Sequence, residues 1–289
     1  MTAAAIHRLA DSYIPRFAPV FTQSAERASR DLTDDAIAAD LARGLSGQPT
    51  TIHALIDSMV IAKATPRPEE AVYAQILVDS AKIQGVVLDL QSPWVQQAAQ
   101  KLAADLVTNV NGSTKRAIRQ IIFESIRDGV PPGNYVGADG VSRLGSHDRI
   151  RAIVGLTERD AIAVVRRAES GRAVKQYRAK LLRARAMNIA RTETMRAANM
   201  GQQLAWQEMA SNNLIDMSRF RQSWMVTPDD RLCPLCAPMD GKLSPLGSVF
   251  ESNERGVLPS ERVSYMGETV DGPPLHSRCR CVIVADYGA

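Results

Sequence analysis

The chain has 289 residues, of which 45% are hydrophobic and 23% charged, and its formal net charge is +4. These values are those of a globular protein, and they exclude a largely disordered, collagen-like or membrane-inserted chain. Aromatic residues make up only 5%, which favours helices over a β-rich core. No apolar run approaches the roughly 18 residues that span a bilayer, and the N-terminus lacks a signal-peptide pattern, so we expect synthesis in a cytoplasm and no membrane partner.

The N-terminal third shows apolar residues at helical spacing, interrupted by prolines. Over residues 1–43 the interruptions at Pro15 and Pro19 predict two short helices. A further helix is predicted over 52–63. Another should begin after Pro68, where two glutamates lie at the positive end of the new helix.

The middle of the chain predicts longer helices. Ser92 before Pro93 is a helix start, and the Asn-Gly pair within 111–113 predicts a turn between two helices. Glycines and prolines over 129–147 predict an exposed loop or hinge. Beyond this loop we expect a short helix over 146–153, a helix from Thr157 to Glu169 with Thr157 as its cap, and one long helix or two joined helices over 174–209.

The last part of the chain has a different composition. Residues 220–226 and 279–285 have strand-like patterns, and seven of the fifteen prolines lie between them. We therefore predict a mostly α protein with a small C-terminal α+β module, its long helices joined by a Gly/Pro-rich loop. The predicted divisions are a helical N-terminal region 1–92, a helical region 93–212 with its loop at 129–147, and a loop-rich α+β module 213–289.

Charge is distributed unevenly. Residues 1–110 carry 9 Lys+Arg against 12 Asp+Glu, whereas residues 143–191 carry 13 against 4. A basic segment of this kind can bind acidic protein or nucleic acid, because each cation near a phosphate releases counterions. It can equally be a solvated helix face. DNA binding through 143–191 is therefore an alternative function.

All four cysteines lie in the last 57 residues. Cys233 and Cys236 form a C-x-x-C turn, which supplies two thiolates from one tight loop. Cys279 and Cys281 belong to an H-x-x-C-x-C motif that begins at His276, and on a strand two residues at i and i+2 share a face. We therefore predict a zinc site formed from these five residues, which makes the α+β module 213–289 a zinc-stapled module.

Five candidates compete for the four ligand positions of a tetrahedral zinc ion. The ligands are four cysteines, or three cysteines with His276 and one cysteine left over, and spacing alone does not choose. The alternative to zinc is a pair of disulfides or reduced structural thiols, and a cytoplasm disfavours disulfides.

A structural role is predicted for this zinc. A catalytic zinc keeps one position open for water and has a carboxylate base nearby, whereas five soft donors predict a closed site. The signatures of zinc deaminases and metalloproteases, a phosphate-binding loop and a Ser-His-Asp arrangement are absent from the sequence. We predict no catalytic residues, no organic cofactor and no enzymatic activity.

The final ninety residues contain several distinctive stretches. These are Ile189 to Thr194 followed by Ala198-Asn199 and Gly201, then Trp224 to Cys236, Asp240 to Lys242, and Pro273 to Cys281. Together they resemble the phage Mu F-like head morphogenesis family, and weaker helical similarity extends the resemblance to roughly residues 93–285. A long insert between Lys242 and Pro273 departs from the family pattern.

The resemblance implies a minor head protein. Such a protein is a virion component in few copies, bound inside the capsid near the portal, that aids head assembly and DNA packaging or delivery. Its partners would be the portal, other capsid proteins and packaged DNA, and it would be multi-copy or oligomeric. It would reside in the host cytoplasm during assembly.

Arg191 and Glu193 lie within the resembling helical stretch. Two positions apart on a helix, they point about 200° away from each other and cannot form a compact dyad. We expect structural pairing for both residues.

Overall fold

The computed structural model describes residues 3–42, 68–227, 234–251 and 269–287. The helix predicted over 52–63 lies outside these residues. The described chain is mostly helical with a small C-terminal strand region, as predicted. The helices are α1 (Ala3–Asp31), α2 (Asp34–Ala42), α3 (Pro68–Ile83), α4 (Pro93–Arg127), α5 (Ser146–Ile153), α6 (Glu158–Glu169) and α7 (Lys175–Ser211).

Short strands complete the fold. They are β1 (Tyr135–Val136), β2 (Ser142–Arg143), β3 (Arg221–Met225), β4 (Leu243–Ser244), β5 (Phe250–Glu251), β6 (Thr269–Val270) and β7 (Val282–Asp286). The three-stranded sheet has the order β4-β3-β7 and is antiparallel, with Trp224 opposite Ile283. Strands β1 and β2 form an antiparallel hairpin, and β5 pairs antiparallel with β6.

Several predicted helix limits are confirmed. The Thr157 side chain accepts a hydrogen bond from the Asp160 backbone N–H at 3.3 Å, as a helix cap does. The Ser92 hydroxyl accepts from the Val95 backbone N–H at 3.3 Å at the start of α4. The long helix predicted over 174–209 is the single helix α7.

The interruptions predicted at Pro15 and Pro19 are wrong, because α1 continues through both residues. A proline inside a helix costs about 3 kcal/mol or more. This helix carries a buried stripe along its whole length, and burial of each large apolar side chain contributes about 1.5–3 kcal/mol. The stripe consists of Ile6, Ala10, Tyr13, Ile14, Phe17, Ala18, Phe21, Ala25 and Ala28.

The turn predicted at 111–113 is also wrong, since α4 is one helix through Asn111 and Gly112. Glycine inside a helix costs only about 1 kcal/mol relative to alanine. The next turns of α4 bury Ala117, Ile118 and Ile121 completely. Burial of this face therefore outweighs the local preference of the Asn-Gly pair.

The predicted exposed loop 129–147 contains the hairpin β1–β2 and the start of α5. Tyr135 pairs with Arg143 and Val136 with Ser142. The Gly145 N–H donates to the Asn134 side chain at 3.0 Å, which closes the base of the hairpin. The segment is thus ordered by its own short strands.

Two compact units make up the chain. The first contains Met1–Phe17, Glu69–Leu102 and Asn188–Ala289, and the second contains Ala18–Pro68 and Ala103–Met187. Each unit joins segments that are distant in sequence. The divisions predicted at residues 92 and 212 stay predictions.

Helices α3 and α7 approach closely in the first unit. An added Cβ at Gly201 would lie 2.6 Å from the Leu77 carbonyl oxygen. The Ser80 hydroxyl donates to the Ala198 carbonyl oxygen, and the Tyr73 hydroxyl donates to the buried Glu193 carboxylate at 3.0 Å. Glu193 is therefore part of a structural contact, as predicted, whereas the Arg191 side chain is exposed.

Two arginines bind backbone carbonyl groups at and just after the C-terminal end of α5 in the second unit. Arg178 donates to the Ala152 carbonyl at 2.9 Å, and Arg185 donates to the Gly155 carbonyl, two residues beyond the helix, at 2.6 Å. The last carbonyl groups of a helix have no partner within it, so the Arg178 bond satisfies one of them. Burial lowers the pKa of Arg185 to about 10, which still leaves its guanidinium charged at neutral pH.

A pH-dependent contact joins α1 and α3 in the first unit. Tyr13 donates to the Asp79 carboxylate, which Gln75 and Lys82 also contact. Burial raises the pKa of Asp79, but these hydrogen bonds outweigh it and hold the pKa below its usual value. A lowered carboxylate pKa stabilises the fold above the unfolded pKa of about 4, and this stabilisation is lost as the pH falls through the folded pKa.

Replacing Tyr13 with phenylalanine should lower the free energy of unfolding by about 1 kcal/mol at pH 7. The difference from wild type should shrink as the pH falls through the lowered folded pKa of Asp79, below which the carboxylate is protonated in both folded and unfolded states. Urea unfolding at pH 7 and at pH 2 measures both values. An equal difference at the two pH values would contradict the assignment to Asp79.

Candidate metal centre

The C-terminal module has one hydrophobic core that contains the described cysteines. Cys236, Cys279 and Cys281 are buried among the aromatic side chains of Trp206, Phe220, Trp224 and Phe250. Phe250 meets Trp224 edge-on, with ring centroids 5.3 Å apart. Any ion held by these thiols would therefore lie within the core of the module.

Cys236 precedes a short 3₁₀ turn over Ala237–Met239. The Met239 N–H donates to the Cys236 carbonyl at 2.9 Å, and Met239 is itself buried. Asp240 follows, and its carboxylate accepts from the Val226 N–H at 3.0 Å. The turn thus fixes the backbone that carries the Cys236 thiol. The Asp240 carboxylate, which follows the turn, is engaged by the Val226 N–H.

The second set of donors lies on a turn that begins at His276. The Cys279 N–H donates to the His276 carbonyl at 3.1 Å and closes this turn. His276 Nδ1 lies 2.7 Å from the Ser277 carbonyl oxygen. Because a carbonyl accepts only, Nδ1 carries the proton and Nε2 presents its lone pair, which is the form of histidine that binds metal.

Three donor atoms converge. His276 Nε2 lies 3.1 Å from Cys236 Sγ, and Cys236 Sγ lies 3.7 Å from Cys279 Sγ. All three atoms lie within 4.8 Å of one another, and within the described part of the chain no other such cluster occurs. In a tetrahedral site with Zn–S distances of about 2.3 Å, two sulfurs are about 3.8 Å apart. The sulfur separation therefore fits zinc.

Cys281 adds a third thiol to the cluster. Its sulfur interacts with both Cys236 and Cys279. The hydrogen bond with Cys236 lowers the pKa of Cys281, but hydrogen bonding to Cys279 and burial outweigh it and raise the pKa to about 12. The Trp224 indole N–H acts in the lowering direction, because an N–H dipole beside a sulfur stabilises a thiolate.

The thiols perturb one another strongly. Hydrogen bonds from Cys236 and Cys281 lower the pKa of Cys279. Hydrogen bonding to Cys279 and Cys281, together with burial, raises the pKa of Cys236. Without a cation one thiolate is stabilised at the expense of its neighbours, whereas a bound zinc ion would allow all ligand thiols to ionise.

Two points of the prediction can be compared with the geometry. The structure brings together the donor atoms of Cys236, His276 and Cys279, with the Cys281 thiol beside the two sulfurs, while Cys233 lies outside the described residues. The converging group contains no carboxylate among the residues described. This donor set is typical of a structural zinc site.

Twelve of the thirteen cations in the basic segment 143–191 form two groups in the second unit, and the thirteenth, Arg191, belongs to the first unit. One group donates to carbonyl or carboxylate oxygens within the second unit, and its members are Arg143, Arg149, Arg151, Arg167, Arg178 and Arg185. The other group is exposed within that unit, and its members are Arg159, Arg166, Arg172, Lys175, Lys180 and Arg183. The second group could contact phosphate while the first group keeps its contacts within the unit.

The histidines outside the cluster have structural contacts where they are described. His7 Nε2 lies 2.7 Å from the Arg280 carbonyl oxygen, and His147 Nδ1 lies 3.1 Å from an Asp34 carboxylate oxygen. His53 lies outside the described residues. In the helices that the structure describes, none is long and apolar enough to cross a membrane.

Comparison with known families identifies the C-terminal part of the chain. Residues 155–284 match the model described as phage Mu protein F like protein. This segment contains α6, α7, most of the C-terminal sheet and the converging donors, and the match confirms the predicted family over these residues, whereas the weaker resemblance over 93–154 lies outside it. No curated protein and no solved structure matches the chain. The family suggests a phage head morphogenesis protein.

Proposed function

Because residues 155–284 belong to the phage Mu protein F like family, we propose that this chain is a minor head protein of a phage. It is a structural, non-catalytic component of the virion, bound inside the capsid near the portal in several copies. It assists head assembly and the packaging or delivery of DNA. Its partners are the portal and other capsid proteins, which it meets in the host cytoplasm during assembly.

The family match carries this proposal, and the chemistry of the module supports it. The donors that converge are two buried thiols and one imidazole, with no carboxylate in the group among the described residues, and the buried Cys281 thiol interacts with both sulfurs. A cysteine in the fourth position would close the site, as in a structural zinc centre, and would leave no position for substrate. The long helices α1, α4 and α7 supply extended surfaces for neighbouring proteins.

Mass spectrometry of purified particles tests the role in the head. We expect the protein in DNA-filled heads at a small fraction of the major capsid protein's copy number. Particles from a phage lacking the gene should be defective in assembly or in infection. Absence of the protein from wild-type heads would refute the proposal.

We further propose that the module holds one structural zinc ion. Cys236, His276 and Cys279 supply three ligands, since their donor atoms converge. The fourth is Cys281, whose thiol contacts the other two sulfurs, or Cys233 of the C-x-x-C turn. The five candidates of the sequence thus reduce to a choice between two cysteines for one position.

Metal content of protein purified without chelator tests the site. One zinc per chain is expected in wild type, and His276→Ala should weaken its binding. Cys233→Ser and Cys281→Ser are a matched pair, because only the variant that lacks the fourth ligand should lose zinc. Wild-type protein free of metal under these conditions would contradict the zinc proposal but not the head-protein proposal.

DNA binding is a second candidate function, which the exposed group of six cations in the second unit supports. Each phosphate contact contributes about 0.9 to the slope of log affinity against log salt on duplex DNA. If these side chains contact phosphate, neutralising Arg166 and Arg172 together with glutamine should reduce that slope by about 2. Fluorescence anisotropy with duplex DNA from 50 to 200 mM salt measures it.

A matched control uses the other group of arginines. Arg151→Gln removes a charge that is engaged by the Leu32 carbonyl and by Asp34. This variant should change protein stability but leave the salt slope unaltered. An unaltered slope in the Arg166→Gln/Arg172→Gln variant would exclude these residues from DNA contact.

A further inference from the structure

The backbone around Cys279 and Cys281 is held by side chains from distant segments. The Arg278 N–H donates to the Thr192 hydroxyl oxygen at 3.1 Å. The Arg280 carbonyl accepts from His7 at 2.7 Å and from Thr227 at 3.0 Å. These bonds lie on either side of the two thiols, so they determine where the thiols are presented.

Asn199 makes the most specific of these contacts. Its side chain, in a residue only 3% exposed, accepts from the Ile283 N–H at 2.9 Å and donates to the Cys281 carbonyl at 3.3 Å. A neighbouring β-strand would make the same pair of bonds to residues i and i+2. It also donates to the Met195 carbonyl at 2.9 Å, within its own helix.

We infer that Asn199, assisted by Thr192, is a positioning residue for the cysteine ligands of the H-x-x-C-x-C motif. The inference rests on the proposed zinc site. Seven positions separate the two residues, which is two helical turns, so they lie on one face of α7. Hydrogen bonds from this face hold the backbone of residues 278–283 in place before metal binds.

Other residues of α7 contact α3, and these contacts hold α7 itself in place. Glu193, Ala198 and Gly201 meet α3 through the Tyr73 hydroxyl, the Ser80 hydroxyl and the Leu77 backbone. The helical stretch and the cysteine stretch that resemble the family are therefore two halves of one structural unit. One face of the helix holds the metal loop, and another face anchors the helix to the unit.

A preorganised loop binds metal more tightly than a mobile one, because less conformational entropy is lost on binding. Partners that orient metal ligands typically change metal affinity by about 10- to 100-fold when mutated. Asn199→Asp is nearly isosteric but removes the N–H donor. It places a carboxylate oxygen against the carbonyls of Cys281 and Met195, so the bidentate contact is lost.

Zinc affinity, measured by competition with a chromophoric chelator, tests the inference. Asn199→Asp should bind zinc at least about 10-fold more weakly than wild type. The matched control is Asn188→Asp on the same helix, since the Asn188 side chain only accepts from Arg278 Nε, at 2.6 Å, and an aspartate can do the same. Its affinity should equal that of wild type. Equal affinity of Asn199→Asp and wild type would overturn the inference.

A second variant separates positioning from general stability. Tyr73→Phe removes the hydrogen bond to Glu193 on the α3 side, and it should lower the melting temperature without changing zinc affinity. Thr192→Val should weaken zinc binding without introducing charge, which covers the case in which Asn199→Asp does not fold. If Thr192→Val and Tyr73→Phe change the affinity equally, α7 contributes only stability and the inference fails.

Hydrogen exchange distinguishes failure of this inference from failure of the zinc site. The Ile283 amide should be protected in wild type and exchange faster in Asn199→Asp, both with zinc and after chelation. If the Ile283 amide is protected but wild-type protein binds no zinc, the zinc proposal is rejected and the contact between Asn199 and Ile283 is retained. Unchanged Ile283 exchange in Asn199→Asp would reject the positioning role.

Discussion

Replacing Cys236 with serine is expected to abolish zinc binding and to lower the melting temperature of the zinc-loaded protein by about 10 °C. Binding to the folded state alone stabilises it by about 4 kcal/mol when free metal exceeds the dissociation constant 1,000-fold. In a protein of this size that free energy corresponds to about 10 °C. Cys236 is central to this effect because its sulfur contacts both His276 and Cys279.

Chelation provides the control for this prediction. Wild-type protein treated with chelator should melt near the temperature of Cys236→Ser, and the chelator should have little effect on the variant itself. Differential scanning calorimetry with and without added zinc gives all four values. A wild-type melting temperature that does not respond to chelator would show that the thiols are structural without metal.

The second large effect is expected at Gly201. In Gly201→Val a Cβ would lie 2.6 Å from the Leu77 carbonyl oxygen and 3.0 Å from its Cα, both of which are backbone atoms. Backbone cannot rotate away as a side chain can, so α3 and α7 must separate. We expect a loss of about 3 kcal/mol in the free energy of unfolding, at the upper end of typical overpacking costs.

Gly112→Val is the matched control, because Gly112 is also within a helix but an added Cβ would meet only an Arg116 side-chain nitrogen at 3.7 Å. Valine and glycine differ little in helix propensity, so a change below about 0.5 kcal/mol is expected. Chemical denaturation of the two variants compares them directly. Similar losses at both positions would show that helix propensity, and not the contact with Leu77, limits stability.

Local signals in the sequence were sufficient for many elements. Thr157 and Ser92 were identified as caps because a hydroxyl that accepts from the helix N-terminus acts within three residues of its own position. The cysteines could be predicted as metal ligands for the same reason. Donors that are two or three residues apart can serve one ion wherever the rest of the chain lies.

Predictions failed where long-range burial opposed a local preference. Pro15, Pro19 and the Asn111-Gly112 pair disfavour a continuing helix, yet α1 and α4 continue through them. Their preferences are worth a few kcal/mol, and the buried stripes of both helices contribute more. The sequence pattern shows the local cost of proline or glycine within a helix. It does not show which distant residues bury the helix and offset that cost.

The residues that hold the metal loop were also beyond prediction. Asn199 and Thr192 stand about 80 residues before the cysteines that they position, and His7 stands about 270 residues before Arg280. One signal was present, since asparagine is a poor helix former and here occurs in the middle of a long helix. Nothing in its neighbours reveals the backbone that it binds.

The mostly helical class, the caps of individual helices, the family resemblance and the five candidate ligands could all be predicted from sequence, since each depends on residues close together in the chain. The folded structure was needed to show which arginines of 143–191 bind other groups of the protein, which histidine faces a thiol, and how α7 contacts the cysteine segment. These features depend on burial and hydrogen bonds between distant segments, which form only when the chain folds.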